Sequence, residues 1–398
     1  MELPDNSWKP APELEDLRDK VARLVREEVL PAEADIDYDA YALPPDVTKR
    51  VQEQAKAMGI WCVASPRKYG GAEMPLLAQC IVAEESAKCR MGAYIPAGGA
   101  FGWDPPNVIF QGSEDQIQRY AVPTIEKGER TFVAITEPGG GADPARALAT
   151  TARRDGNEWV LNGQKMFITS AQESRWGVAF ARSDSGAGRH GITCFIIETD
   201  RPGIKIEEIP VIRPYYPTLI TFDDYRIPLD NVLGDLGRGF DFVQKWLIHG
   251  RVPYAAGTVG IAQAALDIAI NHARNRNTFG SRLADKQAIQ WMMVDSEIEI
   301  RAARLLIYDA AWKAELGEEF RMESSIAKVY ATEMANRVVD RCVQILGGRG
   351  VLRDLPLERW YRELRIKRIG EGPSEVHRLV VARNLVGAPP RKEQVVSA

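Results

Sequence analysis

Cysteine and histidine are scarce in this 398-residue sequence, which contains five cysteines and four histidines. The cysteines form no C-x-x-C pair, and no histidine stands at a zinc-ligand spacing from them. We therefore expect no metal site and reduced thiols at all five positions. These positions are Cys62, Cys80, Cys89, Cys194 and Cys342.

An excess of positive charge is also lacking. Lysine and arginine number 51 against 55 aspartates and glutamates, and no basic tract occurs, which argues against nucleic-acid binding. No apolar run is long enough to span a bilayer, so no integral membrane association is expected. The first residues, MELPDNSWKPAPELED, are acidic and lack the apolar core of a signal peptide, so we expect a cytoplasmic location.

The apolar pattern changes twice along the chain. Helical spacing dominates up to about residue 130, beginning with Leu14, Leu17, Val21 and Leu24. From Thr131 the apolar runs become short and rich in β-branched or aromatic residues, as in EWVLNGQKMFITSA and GITCFIIETD. Long helical patterns return after residue 236, and VPYAAGTVGIAQAALDIAINHARNR is apolar on most faces, which predicts a buried helix. The sequence therefore predicts helices, a β-rich middle part and a helical bundle.

A dipeptide in the middle part carries a turn signal. Asn162 and Gly163 stand between apolar flanks, and Asn-Gly is the strongest short signal for a two-residue hairpin turn. We therefore expect a hairpin turn at these two residues.

Three successive glycines follow an expected strand in AITEPGGGADP, residues 134–144. Glycines allow a backbone to approach a flat or charged ligand closely. The segment is not a G-x-G-x-x-G fingerprint followed by a helix, so a dinucleotide-binding Rossmann fold is disfavoured. Taken alone, the segment is better explained by a structural glycine-rich turn.

Several segments together resemble one family. In order they are ITEPGGGADP, NGQKMFITSA, RNRNTFG followed by KQAIQ, QILGGRGV, and EGPSEVHRLVVAR. Their order and spacing resemble the acyl-CoA dehydrogenase family over essentially the whole chain. The resemblance implies an N-terminal all-α domain at 1–130, a middle β-sandwich or barrel-like domain at 131–236, and a C-terminal four-helix bundle at 237–398. It also implies FAD bound between the β domain and the bundle.

The resemblance implies two groups of FAD-binding residues. One group would lie beside the isoalloxazine, and the other would reach the FAD of a partner subunit or contribute backbone near it. The first group is Ile135, Thr136, Gly141, Ala142, Phe167 and Thr169. The second is Arg276, Thr278, Phe279, Gln287, Gln344, Gly347 and Gly348.

Three positions depart from the family pattern. Ala142 stands where a serine is usual, Phe167 where a tryptophan is common, and Pro373 where a threonine is common. Loss of one hydroxyl removes a hydrogen bond worth roughly 0.5–1.5 kcal/mol net. These departures bear on flavin orientation and on substrate choice.

One acid, Glu371, stands between two glycines and before Pro373 in RIGEGPSEVHR. As a residue pattern, this is also what an ordinary acidic side chain near a helix N-terminus looks like. By resemblance Glu371 is the base that removes the substrate α-proton, its N–H polarises the thioester carbonyl, and Gly370 and Gly372 leave space for the substrate. Helix formation at Pro373 favours the carboxylate anion, whereas burial under an acyl chain raises its basicity.

Some family members carry the base on the long central helix, directly before an arginine. The corresponding residue here is Gly250, so Glu371 is the only base that the resemblance offers. Arg251 steers the acyl-CoA in one interpretation and forms a structural salt bridge in the other. The segment YIPAGGAFGWDPP, residues 94–106, is expected to line the acyl pocket.

The resemblance implies an FAD-dependent acyl-CoA dehydrogenase that makes a trans-2-enoyl-CoA and passes electrons to an electron-transfer flavoprotein. It further implies a homotetramer built as a dimer of dimers. Two alternatives stay open: an acyl-CoA oxidase or flavin-dependent monooxygenase on the same fold, and a non-catalytic acyl-CoA-binding protein. Acyl chain length and branching are not indicated by the sequence.

Overall fold

A computed structural model describes residues 11–184 and 188–387 of the chain. Its first part is helical, and prolines at the first position begin α1 and α3, where a missing N–H costs no hydrogen bond. A π-helical turn, Val25–Val29, continues α1 into α2. The helices are α1 (Pro12–Leu24), α2 (Leu30–Ala34), α3 (Pro45–Ala57), α4 (Leu76–Ser86), α5 (Glu114–Gln116) and α6 (Val122–Lys127).

The middle part is a sheet of eight strands in the order β6-β7-β3-β2-β4-β5-β8, with β1 paired to β4. The β1–β4 and β2–β4 pairs are parallel, and the other pairs are antiparallel. One helix, α7 (Pro144–Ala147), lies between β1 and β2. The strands are β1 (Phe132–Ala134), β2 (Thr151–Asp155), β3 (Glu158–Ile168), β4 (Trp176–Arg182), β5 (Ile192–Glu198), β6 (Ile204–Glu208), β7 (Thr218–Pro228) and β8 (Val232–Leu233).

The hairpin turn predicted at Asn162 and Gly163 is wrong. Both residues lie inside β3, where the register with β7 shifts between Leu161 and Gly163. A Cβ on Gly163 would lie 2.7 Å from the Thr150 backbone, and Asn162 is bonded through its side chain to Asp224. The dipeptide serves a β-bulge with close neighbours, which requires the same residue types as a tight turn.

The last part is helical again, with a two-stranded hairpin between its first two helices. The first helix is buried along much of its length, with Val252, Val259 and Ala262 at 0% exposure, which confirms the buried helix predicted from its apolar pattern. The elements are α8 (Gly239–Asn275), β9 (Asn277–Thr278), β10 (Ser281–Arg282), α9 (Gln287–Glu315), α10 (Arg321–Leu346), α11 (Leu357–Lys367) and α12 (Ser374–Val386).

The predicted order of helical, β-rich and helical parts is confirmed. None of the described helices is both long and apolar enough to cross a membrane. Within the described ranges, no group of three or more His, Cys, Asp or Glu residues is arranged to hold a metal ion. The five cysteines are buried and free.

Candidate active site

The turn around Glu371 joins α11 to α12 and has a left-handed backbone. Glu371 has φ 58° and Gly372 has φ 96°, a region that side chains other than glycine rarely adopt. A Cβ on Gly370 would lie 2.7 Å from the Tyr254 hydroxyl, and one on Gly372 would lie 3.0 Å from His377 Nε2. Both glycines are therefore required by close neighbours, and the one side chain left on the turn is the acid.

Three side chains hold the carbonyl oxygens of this turn. Arg251 Nε donates to Glu371 O at 2.9 Å, and Lys328 Nζ donates to Gly372 O at 2.6 Å and to Arg368 O at 3.3 Å. His377 Nε2 lies 3.1 Å from Glu371 O. Burial, with Arg251 and Lys328 nearby, lowers the pKa of His377 to about 3, so its imidazole is neutral and donates this bond.

The carboxylate of Glu371 is left without a hydrogen-bond partner. Its Oε2 is buried and accepts no bond from any described residue. Burial raises the pKa of Glu371 above the usual 4.5, while Arg251, Lys367 and Lys328 act in the opposite direction. An unpartnered carboxylate with a raised pKa is a stronger base than a solvated one, because proton uptake relieves the cost of a buried charge.

Two buried lysines supply positive charge around this acid. Burial lowers the pKa of Lys328 and of Lys367 to about 8, so most of each remains charged near neutral pH. Lys367 Nζ lies 3.9 Å from the ring centres of both Tyr94 and Tyr254 and donates to Ala93 O at 3.1 Å. Both lysines make their hydrogen bonds to backbone carbonyls, so neither neutralises Glu371 by direct contact.

A second buried acid, Glu137, shapes the segment after β1. Lys165 Nζ lies 2.7 Å from Glu137 Oε1, and the N–H groups of Ala149 and Thr150 donate to the same carboxylate at 2.6 and 3.0 Å. Burial alone would raise the pKa of Glu137, but Lys165 and the backbone donors hold it below its usual value. This carboxylate is fully partnered, and it fixes the loop that follows β1.

The first group of predicted FAD residues is brought together by the same loop. Met166 N–H donates to Thr136 O at 2.8 Å, which joins β3, the strand that carries Phe167 and ends just before Thr169, to the segment after β1. A Cβ on Gly141 would lie 2.8 Å from Thr136 Cγ2, so the glycine lets the loop fold back on Thr136. Ile135 and Thr136 are half-buried, and Ala142 is exposed beside Gly141. Phe167 is 54% exposed with φ 61°.

The second group lies at exposed ends of the C-terminal helices. Phe279, at the tip of the β9–β10 hairpin, is fully exposed with φ 49°, and Arg276 makes no side-chain bond within the described residues. Arg276 and Arg349 both act on His272, which places the hairpin beside the segment after α10. Thr278 is half-buried, whereas Gln287, Gln344, Gly347 and Gly348 are exposed.

These two surfaces fit a large, flat and anionic cofactor. Phe167, near the end of β3, and Phe279, at the hairpin tip, expose aromatic rings at positions of positive φ. Cβ atoms added at Gly347 or Gly348 would meet nothing within 4 Å. Arg276 offers a cation without a partner in the described chain, which suits a pyrophosphate. The residues present are therefore compatible with FAD.

Sequence reasoning missed the cations that surround Glu371. Lys328 and Lys367 occupy buried positions on α10 and α11. In a helical sequence a lysine normally predicts a solvent-facing position. Their spacing on the apolar face of each helix is the signal that could have identified them. Arg213, in the loop between β6 and β7, gives no periodic signal, although it lies beside Thr169 with Nη2 donating to Thr169 Oγ1 at 3.3 Å.

Family models match three consecutive stretches of the chain. The model described as acyl-CoA dehydrogenase, N-terminal domain, matches residues 11–128, the middle-domain model matches 133–218, and the C-terminal-domain model matches 237–386.

Relatives in other organisms are similar over nearly their full length. The chain is 35% identical over 381 residues to the 3-(aryl)acrylate reductase of Clostridium sporogenes, covering 94% of this chain and 99% of that protein. It is 36% identical over 375 residues to the mitochondrial short-chain specific acyl-CoA dehydrogenase of Bos taurus, covering 93% and 89%. The structure of butyryl-CoA dehydrogenase from Megasphaera elsdenii superposes with a TM-score of 0.84 at 29% identity, covering 95% of this chain and 99% of that one.

Proposed function

Because this chain belongs to the acyl-CoA dehydrogenase family of FAD-dependent oxidoreductases, we propose that it oxidises an acyl-CoA thioester to a trans-2-enoyl-CoA. One observation carries the proposal. The turn that bears Glu371 is held by three side chains through its carbonyl oxygens, while the buried Oε2 of its carboxylate has no partner in the described chain. A structural acid would be paired, and an acid that must accept a proton is left free.

Glu371 has the properties required of the general base. Its carboxylate takes the proton from the substrate α-carbon, and its backbone N–H, which donates to no described group, is available to the thioester carbonyl oxygen. Stabilisation of the developing enolate by this N–H lowers the free-energy barrier to removal of the α-proton. FAD, when bound, supplies the acceptor for the hydride that leaves the β-carbon, so the two hydrogens leave as a proton and a hydride and a C=C bond forms.

Residues of this chain would hold FAD at two places. Thr136, Gly141, Phe167 and Thr169 lie around the loop after β1. The backbone hydrogen bond from Met166 to Thr136 and the close approach of Gly141 to Thr136 fix their relative positions. Arg276 and Phe279, at the hairpin tip, would reach the FAD of a second subunit. We propose on the same ground a homotetramer, and an electron-transfer flavoprotein as the electron acceptor, because the family resemblance implies both.

Arg251 and Lys328 hold the turn that bears Glu371. Arg251 binds Glu371 O and Lys328 binds Gly372 O, so both orient the Glu371 carboxylate through the backbone. Their positive charges also limit how far burial raises the pKa of Glu371. The raised pKa gives the Glu371 carboxylate a greater basicity than a solvated glutamate.

The test is anaerobic reduction of the purified yellow protein. Saturated acyl-CoA thioesters of increasing chain length are added without oxygen, and loss of flavin absorbance is followed. We expect at least one of them to bleach the wild-type flavin and none to bleach Glu371→Gln, with both proteins binding FAD and acyl-CoA.

Each alternative gives a different result in this assay. Rapid reoxidation in air with hydrogen peroxide formed would indicate an oxidase, and an oxygenated product would indicate a monooxygenase. Binding of acyl-CoA without bleaching by any of them would contradict the proposal and support a non-catalytic binding protein.

A further inference from the structure

A buried arginine without a counter-ion lies beside the candidate active site. Arg213 is 4% exposed, and its Nε and Nη1 atoms have no hydrogen-bond partner. The contacts of its guanidinium are Nη2 to Thr169 Oγ1 at 3.3 Å and stacking over the rings of Tyr94 at 3.9 Å and Tyr215 at 5.2 Å. A buried cation normally has an acid or several carbonyl oxygens as partners, so these free N–H groups indicate a missing acceptor.

A neighbouring arginine shows what a paired one looks like here. Arg130 stacks over the same Tyr215 ring at 4.8 Å and over Trp103 at 3.9 Å. Its Nε lies 3.0 Å from Glu173 Oε2, so its charge is neutralised within the chain. Arg213 forms no such ion pair with any described acid.

Two cations contact the ring of Tyr94, and neither forms an ion pair with a described acid. Lys367 stacks on this ring at 3.9 Å, the same distance as Arg213. The acid that acts on both cations, Glu363, has its Oε1 engaged by the Ala93 N–H at 2.8 Å and forms no ion pair with either of them in the described chain. Glu371 also acts on Lys367, so the two cations lie near two carboxylates and form an ion pair with neither in the described chain.

The two cations on the Tyr94 ring lie close to the Glu371 turn. The Tyr94 hydroxyl lies 3.5 Å from that of Tyr254, and a Cβ on Gly370 would lie 3.7 Å from the Tyr94 hydroxyl. One tyrosine ring therefore separates the Arg213 guanidinium from the turn that bears the base. The turn before Tyr94 is fixed because Glu33 accepts the N–H groups of Arg90 and Met91 at 2.7 and 2.9 Å.

We propose that Arg213 binds a carboxylate at the distal end of the substrate's acyl group, so that the preferred substrates are ω-carboxyacyl-CoA thioesters. The inference rests on the proposed function and specifies its substrate class. A guanidinium fork suits a planar carboxylate. Lys367, which also stacks on the Tyr94 ring, adds a second positive charge nearby. An unsubstituted acyl chain would leave the buried guanidinium unpaired, and that penalty selects against it.

The experiment compares thioesters of equal chain length, with and without the terminal carboxylate. The pairs are pentanoyl- and glutaryl-CoA, hexanoyl- and adipyl-CoA, and octanoyl- and suberyl-CoA, and anaerobic bleaching gives a second-order rate constant for each. We expect the wild type to prefer the carboxylated member of at least one pair by about tenfold or more, because a site built for a charged partner rejects the analogue that lacks it.

Variants assign the preference to one residue. Arg213→Gln should lower the preference by about tenfold or more, and Arg213→Lys should keep part of it because the charge remains. Arg130→Gln is the matched control, since it removes a stacked but already paired arginine, and it should leave the preference unchanged. If Arg213→Gln fails to fold, the wild-type preference and the Arg213→Lys variant still test whether Arg213 binds the distal carboxylate.

Two results would overturn the inference. A wild type that prefers the unsubstituted member of every pair needs no carboxylate site. Equal losses with both members of a pair in Arg213→Gln, together with a shifted flavin potential, would assign Arg213 to the cofactor. Absence of bleaching by any thioester would instead contradict the proposed function itself, so the two failures are distinguishable.

Discussion

Two glutamates with buried carboxylate oxygens have opposite surroundings in this protein. Glu137, after β1, accepts an ion pair from Lys165 and hydrogen bonds from two backbone N–H groups, and its pKa is held below the usual value. Glu371, before α12, has an oxygen with no partner, and its pKa is raised. Both stand next to cations, so proximity to positive charge alone does not distinguish them.

The difference lies in what the cations contact. At Glu137 the lysine binds the carboxylate, whereas at Glu371 the arginine, the lysine and the histidine bind backbone carbonyl oxygens. The first arrangement neutralises the acid and fixes a loop. The second fixes the backbone and leaves the acid reactive, which is the arrangement that proton abstraction requires.

Removal of Lys165 should give the largest change in stability. Lys165→Met leaves Glu137 buried without its counter-ion, which should cost about 3–5 kcal/mol in the free energy of unfolding. Urea unfolding of the FAD-loaded protein measures this. The matched variant is Glu371→Gln, which removes an unpaired charge and should leave stability unchanged or increase it. Equal losses of stability in both variants would contradict the difference between Glu137 and Glu371.

Transfer of the acid to α8 should restore part of the activity. A Cβ at Gly250 meets nothing within 4 Å, and the next residue, Arg251, already contacts Glu371 O. Gly250→Glu combined with Glu371→Gly should bleach faster than Glu371→Gly alone, yet remain about 10²-fold below wild type because of misplacement. Gly250→Gln combined with Glu371→Gly is the control and should show no rescue. No gain in a double variant that binds FAD and acyl-CoA would contradict this geometry.

The pH dependence of flavin reduction should report the raised pKa of Glu371. Activity requires the anion, so the rate constant should fall as pH decreases through a pKa above the usual 4.5. Lys328→Met removes a charge that lowers this pKa, and the acidic limb should move to higher pH. Lys20→Met, which removes an exposed lysine, is the control. An acidic limb that stays in place in Lys328→Met would mean that Lys328 acts only through structure.

A methyl group on the turn should have a smaller effect. Gly372→Ala places a Cβ 3.0 Å from His377 Nε2 at φ 96°, and the left-handed backbone alone costs about 1–2 kcal/mol. Gly317→Ala, with φ 73° and nothing within 4 Å, isolates the backbone part of this cost. Thermal unfolding should show the greater loss for Gly372→Ala. A greater loss for Gly317→Ala would show that the turn is not tightly packed.

Much of the fold followed from the sequence because apolar spacing determines it. The buried α8 and the succession of helices, sheet and helices were predicted from periodicity alone. Asn162 and Gly163 were misassigned because a bulge and a hairpin turn favour the same residues. The predicted domain boundaries at 130 and 236 remain predictions.

The site was only partly predictable. The two glycines beside Glu371 marked an acid on a constrained turn, and family position supplied its role. The sequence did not predict the burial of Lys328, Lys367 and Arg213, because long cationic side chains normally face solvent. Their burial depends on contacts between distant segments. No local pattern shows that a cation binds a backbone oxygen instead of a nearby carboxylate.

Exchange of the substrate α-proton tests the central claim most directly. The protein is incubated without oxygen in deuterated buffer with an acyl-CoA that it binds, and deuterium at the α-carbon is followed by mass spectrometry. The account predicts exchange by the wild type and a rate about 10²–10⁴-fold lower in Glu371→Gln, with FAD and acyl-CoA still bound. Exchange at a near wild-type rate in Glu371→Gln would contradict the assignment of Glu371 as the base.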